Sequence, residues 1–183
     1  MRIRVLSFLT LLVLAACQQP AASEEIQSFE QQNPRQSKED RIAAHRDFLR
    51  KEVESIETYI AERELSLERN GTGIYYQIDS LGSGPNPKPE DLAEYRFKIS
   101  MLNGALLYEN SPNSHSKLRI DREDAEIGLH DALKMMRVGD KGLFILPSHR
   151  AFGVAGDQNK IPPFTALVYE LELIAIQKQN PKK

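Results

Sequence analysis

Leu146-Pro147-Ser148-His149-Arg150-Ala151-Phe152-Gly153-Val154-Ala155-Gly156, continued by Lys160-Ile161-Pro162-Pro163, is the stretch on which the reading of this chain turns. It joins two apolar segments read as strands, residues 141–146 and 167–176. The second alternates, with Leu167, Tyr169, Leu171 and Leu173 on one face and Val168, Glu170 and Glu172 on the other. Upstream, residues 128–136 place Leu129, Ala132, Leu133 and Met136 on one face of a helix of roughly two turns, closed by Val138-Gly139. Before that helix, Tyr95, Phe97, Ile99 and Met101 alternate with polar neighbours up to Asn103-Gly104, the strongest short hairpin signal in the chain. Residues 106–108 return from that turn, residues 110–116 form a polar loop, and Leu118 and Ile120 mark another short strand. Residues 74–81 are a strand candidate, followed by a Gly- and Pro-rich loop over 82–89. No internal repeat is visible.

Further toward the N-terminus the period changes. Ile42, Leu49, Val53, Ile56 and Ile60 recur at helical spacing between charged residues, predicting an amphipathic helix over 39–67 that Asn70-Gly71-Thr72-Gly73 brings to a stop. Its apolar stripe is expected to pack on the following domain. Pairing with a second copy, giving a homodimer, or with a partner helix are the alternatives. Residues 18–38 are rich in Gln, Ser, Glu and Pro and read as a flexible tether.

The first sixteen residues are an export signal: Arg2 and Arg4 precede an apolar run over 5–16 that is too short to span a bilayer. The run ends Leu14-Ala15-Ala16-Cys17, similar to the lipobox of bacterial lipoproteins, so the single Cys is expected to carry lipid and hold the protein on a membrane. By resemblance to Gram-negative lipoprotein sorting, Gln18 rather than Asp after the Cys implies the outer membrane, facing the periplasm. The organisation expected is therefore signal peptide 1–16, tether 17–38, helix 39–70, domain 71–178 and tail 179–183.

Composition narrows the function classes. With 24 Lys and Arg against 26 Asp and Glu there is no basic excess to neutralise phosphates, which argues against a nucleic-acid partner. One Cys forbids an intrachain disulfide framework or a Cys-rich zinc site, and His45, His115, His130 and His149 show no ligand spacing, so neither metal nor cofactor is expected. Ser148 and His149 are sequence neighbours whose side chains diverge in an extended chain, which speaks against a nucleophile and base pair.

Taken in order, Gly128-Leu129, Met136-Arg137-Val138-Gly139, the Leu146 to Gly156 stretch, Ile161-Pro162-Pro163 and the final strand resemble the second half of the FKBP-type peptidyl-prolyl isomerases, and the resemblance spans about residues 73–176. The Ser-His-Arg-Ala-Phe-Gly run, with a lipobox and an upstream helix, is similar more particularly to lipoprotein FKBPs associated with gliding motility. The resemblance implies an α+β fold: a curled antiparallel sheet of five or six strands around one short helix, here preceded by the N-terminal amphipathic helix. It implies an enzyme that rotates X-Pro bonds in exported polypeptides, with a low-activity or inactive chaperone or assembly module as the alternative.

By motif position, Phe97, Leu107, Leu129, Ile161 and Tyr169 fall at the family's apolar pocket positions, Leu129 where a Trp floor is common. For Leu107 and Tyr169 plain core packing is an equal alternative. The backbone N–H near Glu126 and Ile127 corresponds to the family's donor to a substrate carbonyl. Three departures stand out. The family's acid after the Gly turn falls at Tyr108, leaving Glu109 as the acid able to stand in; Phe152 replaces a frequent Tyr and lacks its hydroxyl; and Leu129 makes a smaller floor than Trp.

Overall fold

The structure, a computed structural model, describes residues 34–79 and 82–178. The expected signal peptide, Cys17 and the expected tether up to residue 33 lie outside the described residues, as does the tail 179–183; residues 34–38, read from the sequence as tether, are helical because the helix starts at Pro34. The chain divides into two units, Met1–His45 and Arg46–Lys183. In the first, residues 34–45 are the opening turns of helix α1 (Pro34–Glu62), and its side chains from 38 to 45 are exposed. Everything below concerns the second unit.

In the second unit, α1 ends at Glu62, earlier than the period predicts, because Glu64 turns into the left-handed region at φ 51 and the Leu65 N–H closes onto the Ile60 carbonyl at 3.0 Å. Residues 68–69, expected to lie before the helix stop, instead form a two-residue strand, β1 (Glu68–Arg69). Then follow β2 (Tyr75–Asp79), β3 (Leu92–Met101), β4 (Leu106–Glu109), β5 (Ser116–Arg119), helix α2 (Ile127–Met135), β6 (Lys141–Leu146), a 3₁₀ turn (Ser148–Arg150) and β7 (Leu167–Gln177).

These strands form one antiparallel sheet in the order β1-β2-β6-β7-β3-β4, with β5 sharing the outer edge of β3 below β4. The sheet has seven strands where five or six were expected, the difference including short β1. The β3–β4 turn falls at Asn103-Gly104 as the sequence predicts. Gly104 takes φ 85, which a side chain would resist, and its N–H bonds the Met101 carbonyl at 2.9 Å.

Alternation along the strands gives the sheet two buried faces. On the concave face, Tyr95, Ile99, Phe144, Leu146, Leu167, Tyr169 and Leu171 pack with Leu129, Ala132 and Leu133 of α2 and with Met136 just after it. On the opposite face, Ile56 of α1 is fully buried against Tyr75, Ile145, Ala166 and Val168. Val168, expected on the polar face of its strand, is thus a core residue because α1 covers that end of the sheet. A buried carboxylate supports the same contact: Glu52 accepts the Ser148 N–H at 2.7 Å.

Candidate active site

The candidate recess lies on the concave face, where α2, the β3–β4 edge and the loop 151–163 meet around one apolar cluster. Its shape begins with Gly128. A Cβ there would stand 2.6 Å from the Arg150 carbonyl oxygen and 2.8 Å from Leu146, so only glycine lets the first turn of α2 close against the 3₁₀ turn. Arg150 pairs with Asp131 and locks the same junction. Glu126 caps α2 at φ −62 and ψ 133 without a side-chain cap bond; its carbonyl accepts the Leu129 N–H at 2.9 Å, and among the described residues the Ile127 N–H has no backbone or side-chain acceptor.

Six of the residues singled out from the sequence come together. Leu107, Leu129, Ile161 and Tyr169 are buried in one cluster, and Phe97 and Phe152 pack half-buried against it. Leu107 gets there through a bulge: Ile99 pairs with Tyr108 and Ser100 with Leu106, which leaves Leu107 unpaired between them and turns it inward beside Tyr108. The four buried members leave almost no surface of their own, and the apolar surface beside them belongs to half-buried Phe97 and Phe152 and to Ile127, the last 60% exposed.

Two further groups complete the recess. Tyr95, two positions before Phe97 on the same strand face, stacks at a tilt with its ring centroid 6.0 Å from that of Phe97. The Tyr169 hydroxyl donates to Oε1 of Glu126 at 3.1 Å, which brings a carboxylate into the concave face. Burial, then the Glu126 and Glu123 charges, push the Tyr95 phenol up to about 12. Burial and Glu126 raise Tyr169 well above the ordinary phenol range, so both rings are neutral at physiological pH.

Residues 84–174 match the family described as FKBP-type peptidyl-prolyl cis-trans isomerase. The chain belongs to this FKBP-type family. Among curated proteins it is 27% identical over 158 residues to the FKBP-type peptidyl-prolyl cis-trans isomerase FkpA of Aeromonas hydrophila, covering 85% of this chain and 58% of that protein. It is 29% identical over 120 residues to FkpA of Escherichia coli (strain K12), covering 66% of this chain and 43% of that protein. The chain therefore spans about half the length of these relatives. Among solved structures it is similar to a peptidyl-prolyl cis-trans isomerase from Pseudomonas syringae pv. tomato, at 27% identity and TM-score 0.60, covering 73% of this chain and 96% of that one. The crystal structure of FkpA from Escherichia coli shares the fold at 23% identity and TM-score 0.62, with 86% and 73% covered.

Within this FKBP fold, Glu109 does not stand in for the missing acid. It pairs in register with Lys98, a residue of the outer face, and its side chain is exposed there. The acid that reaches Tyr108 is Asp157, from the loop: the Tyr108 hydroxyl donates to its Oδ2, while Oδ1 accepts the N–H groups of Ile161 at 2.7 Å and Asn159 at 2.9 Å. Asn159 also donates to the Tyr108 hydroxyl at 3.2 Å, and Lys160 donates to the Leu107 carbonyl at 2.9 Å while lying 4.9 Å over the Tyr108 ring. The sequence carried a signal for Tyr95, its period-2 relation to Phe97. For Asp157 and the Glu126 side chain it carried none, since both depend on how loops from different strands meet.

A groove of about 610 Å³ lies between the end of α1 and strands β3, β6 and β7, with Phe97 in its lining, and grooves of about 550 and 350 Å³ run alongside α1. In the largest, the charges satisfy one another: Lys98 pairs with Glu170 at 2.8 Å and Arg96 with Glu172 at 3.2 Å. His130 is buried between the Asp121 N–H at 3.1 Å and the Glu123 carbonyl at 3.2 Å, which makes it a brace for the loop before α2.

Proposed function

We propose that this FKBP domain accelerates rotation about X-Pro bonds in exported polypeptides. The observation that carries this reading is the convergence of Phe97, Leu107, Leu129, Phe152, Ile161 and Tyr169 beside the start of α2, where Glu126 makes no side-chain cap bond. Rotation of a peptide bond crosses about 18–20 kcal/mol because the planar form is held by resonance. The twisted form has lost that resonance, and an apolar wall that excludes water favours it over the planar one. The proline ring lies against Phe97 and Phe152, and a substrate carbonyl accepts from the N–H at Ile127. Neither a nucleophile nor a proton transfer is required. Tyr169 is engaged with Glu126 and Phe152 has no hydroxyl, so side-chain donors to substrate are few, which supports modest turnover.

That scarcity also favours a second reading, a module that binds proline-containing segments and acts as a chaperone or assembly factor of an envelope machine. An NMR exchange assay on Ala-Pro and Leu-Pro peptides with the full chain separates the two: acceleration supports the enzyme, binding without acceleration the chaperone.

The location that suits this activity is the bacterial envelope. Arg2, Arg4, the apolar run after them and Cys17 support export followed by lipid attachment at Cys17, on the periplasmic side of the outer membrane. Among the described residues no helix is long and apolar enough to cross a membrane. Metabolic labelling with palmitate, lost in Cys17→Ser, is the expected result; unlabelled wild-type protein in the soluble fraction overturns it.

A further inference from the structure

We propose that Glu126 makes the recess select prolines preceded by a cationic residue, Lys or Arg. This rests on the reading that the recess receives X-Pro segments. The Glu126 carboxylate reaches from the cap of α2 over the concave face, where its partner, the Tyr169 hydroxyl, is fully buried. One neutral donor compensates a half-buried carboxylate poorly, and among the described residues Glu126 has no ion-pair partner. The cations of the surrounding elements are otherwise engaged: Lys134 holds Asp121 at 2.9 Å and Asp131 at 3.2 Å, Arg150 holds Asp131, Arg122 holds Glu90, and Lys160 holds the Leu107 carbonyl. These cations leave the Glu126 carboxylate unpaired, so a cationic side chain brought by a ligand would not have to displace one of them.

The shape of the rim fits a long cationic side chain. The rotating bond joins the proline to the residue before it, so with the ring in the recess that residue emerges at the first turn of α2. Ile127, exposed next to Glu126, offers an apolar shelf for the stem of Lys or Arg while the head reaches the carboxylate. Glu123, exposed three positions upstream with its Oε2 accepting the Arg119 N–H at 2.9 Å, adds charge of the same sign to this stretch. An acidic residue before the proline meets repulsion at this place.

The test compares Ala-Lys-Pro-Phe with Ala-Glu-Pro-Phe on the full chain, reading affinity by NMR titration and isomerisation by exchange spectroscopy. At low salt the Lys peptide is expected to bind about tenfold more tightly, the ratio shrinking as salt rises. In Glu126→Gln, which retains an acceptor for Tyr169, the ratio is expected to fall to about one. Equal affinities in the wild type, or a ratio that survives Glu126→Gln in a folded variant, overturn the proposal while leaving isomerisation standing. The expected ratio without acceleration of either peptide supports Glu126 and removes the enzymatic reading; no binding of either peptide removes both.

Discussion

The phenol of Tyr108 on β4 donates its hydrogen bond to Asp157, 49 positions away in the loop that walls the recess. With Asn159 on the same hydroxyl and Lys160 on the Leu107 carbonyl, that contact ties the bulged edge of the sheet to the segment carrying Phe152 and Ile161. Tyr108→Phe deletes it along with the Asn159 contact, and is expected to cost about 1 kcal/mol of stability in urea unfolding. Amide exchange should quicken across residues 151–163 while β6 and β7 keep their protection. Unchanged exchange in the loop counts against this tie.

Asp157 gives the same tie a pH dependence. Burial pushes its carboxyl up, but the Tyr108 hydroxyl and the N–H groups of Ile161, Asn159 and Lys160 outweigh it and hold the value below the ordinary 3.8. A group lowered on folding contributes stability above its unfolded pKa and loses it as pH falls through the folded one. The stability gap between wild type and Asp157→Asn should therefore be full at neutral pH and close only in acid below about pH 4. A gap that persists unchanged to pH 2 denies the carboxylate this role.

Phe152 stands at the rim with no hydroxyl to offer. Phe152→Tyr is expected to raise kcat/KM for X-Pro peptides by up to about tenfold, one hydrogen bond to the substrate. Steady or lower turnover with a normal circular dichroism spectrum tells against the placement of this ring beside the rotating bond.

Ile56 is the apolar anchor of α1 on the outer face. Ile56→Ala is expected to lower stability by about 2–5 kcal/mol, the range for a buried aliphatic cut to methyl. A denaturant midpoint equal to that of the wild type shows α1 to be dispensable for the domain.

Glu52→Ala leaves the Ser148 N–H buried without an acceptor and should cost about 1–3 kcal/mol. Glu52→Gln keeps an acceptor oxygen and should cost less; equal losses in both place the effect in side-chain packing and not in the hydrogen bond.

The parts of the fold legible in the sequence were those with a local cause. Asn103-Gly104 dictates a tight reversal, the alternation of Leu167, Tyr169, Leu171 and Leu173 dictates a strand with one buried face, and the spacing of Leu129, Ala132, Leu133 and Met136 dictates a short helix. What escaped had causes distant in sequence. The helix stop at Glu64 involves neither Gly nor Pro, so the helix read from the sequence ran on to Leu67, five residues beyond its end at Glu62. Val168 reads as an outward residue until α1 is laid over it. The inward turn of Leu107 comes from a one-residue bulge, and the pairing of Asp157 with Tyr108 in place of Glu109 from the meeting of two loops. Glu126 marked a backbone donor in the sequence; only the position of Tyr169 reveals where its side chain goes.

The covering of the outer face by α1 sets the smallest portable form of this protein. A fragment cut at residue 73, where the family likeness begins, would strip the sheet's back of its lid and lay Tyr75, Ile145 and Val168 open to solvent, an invitation to stick to other copies. Anyone transplanting the unit into another host must bring the upstream helix along as part of the cargo.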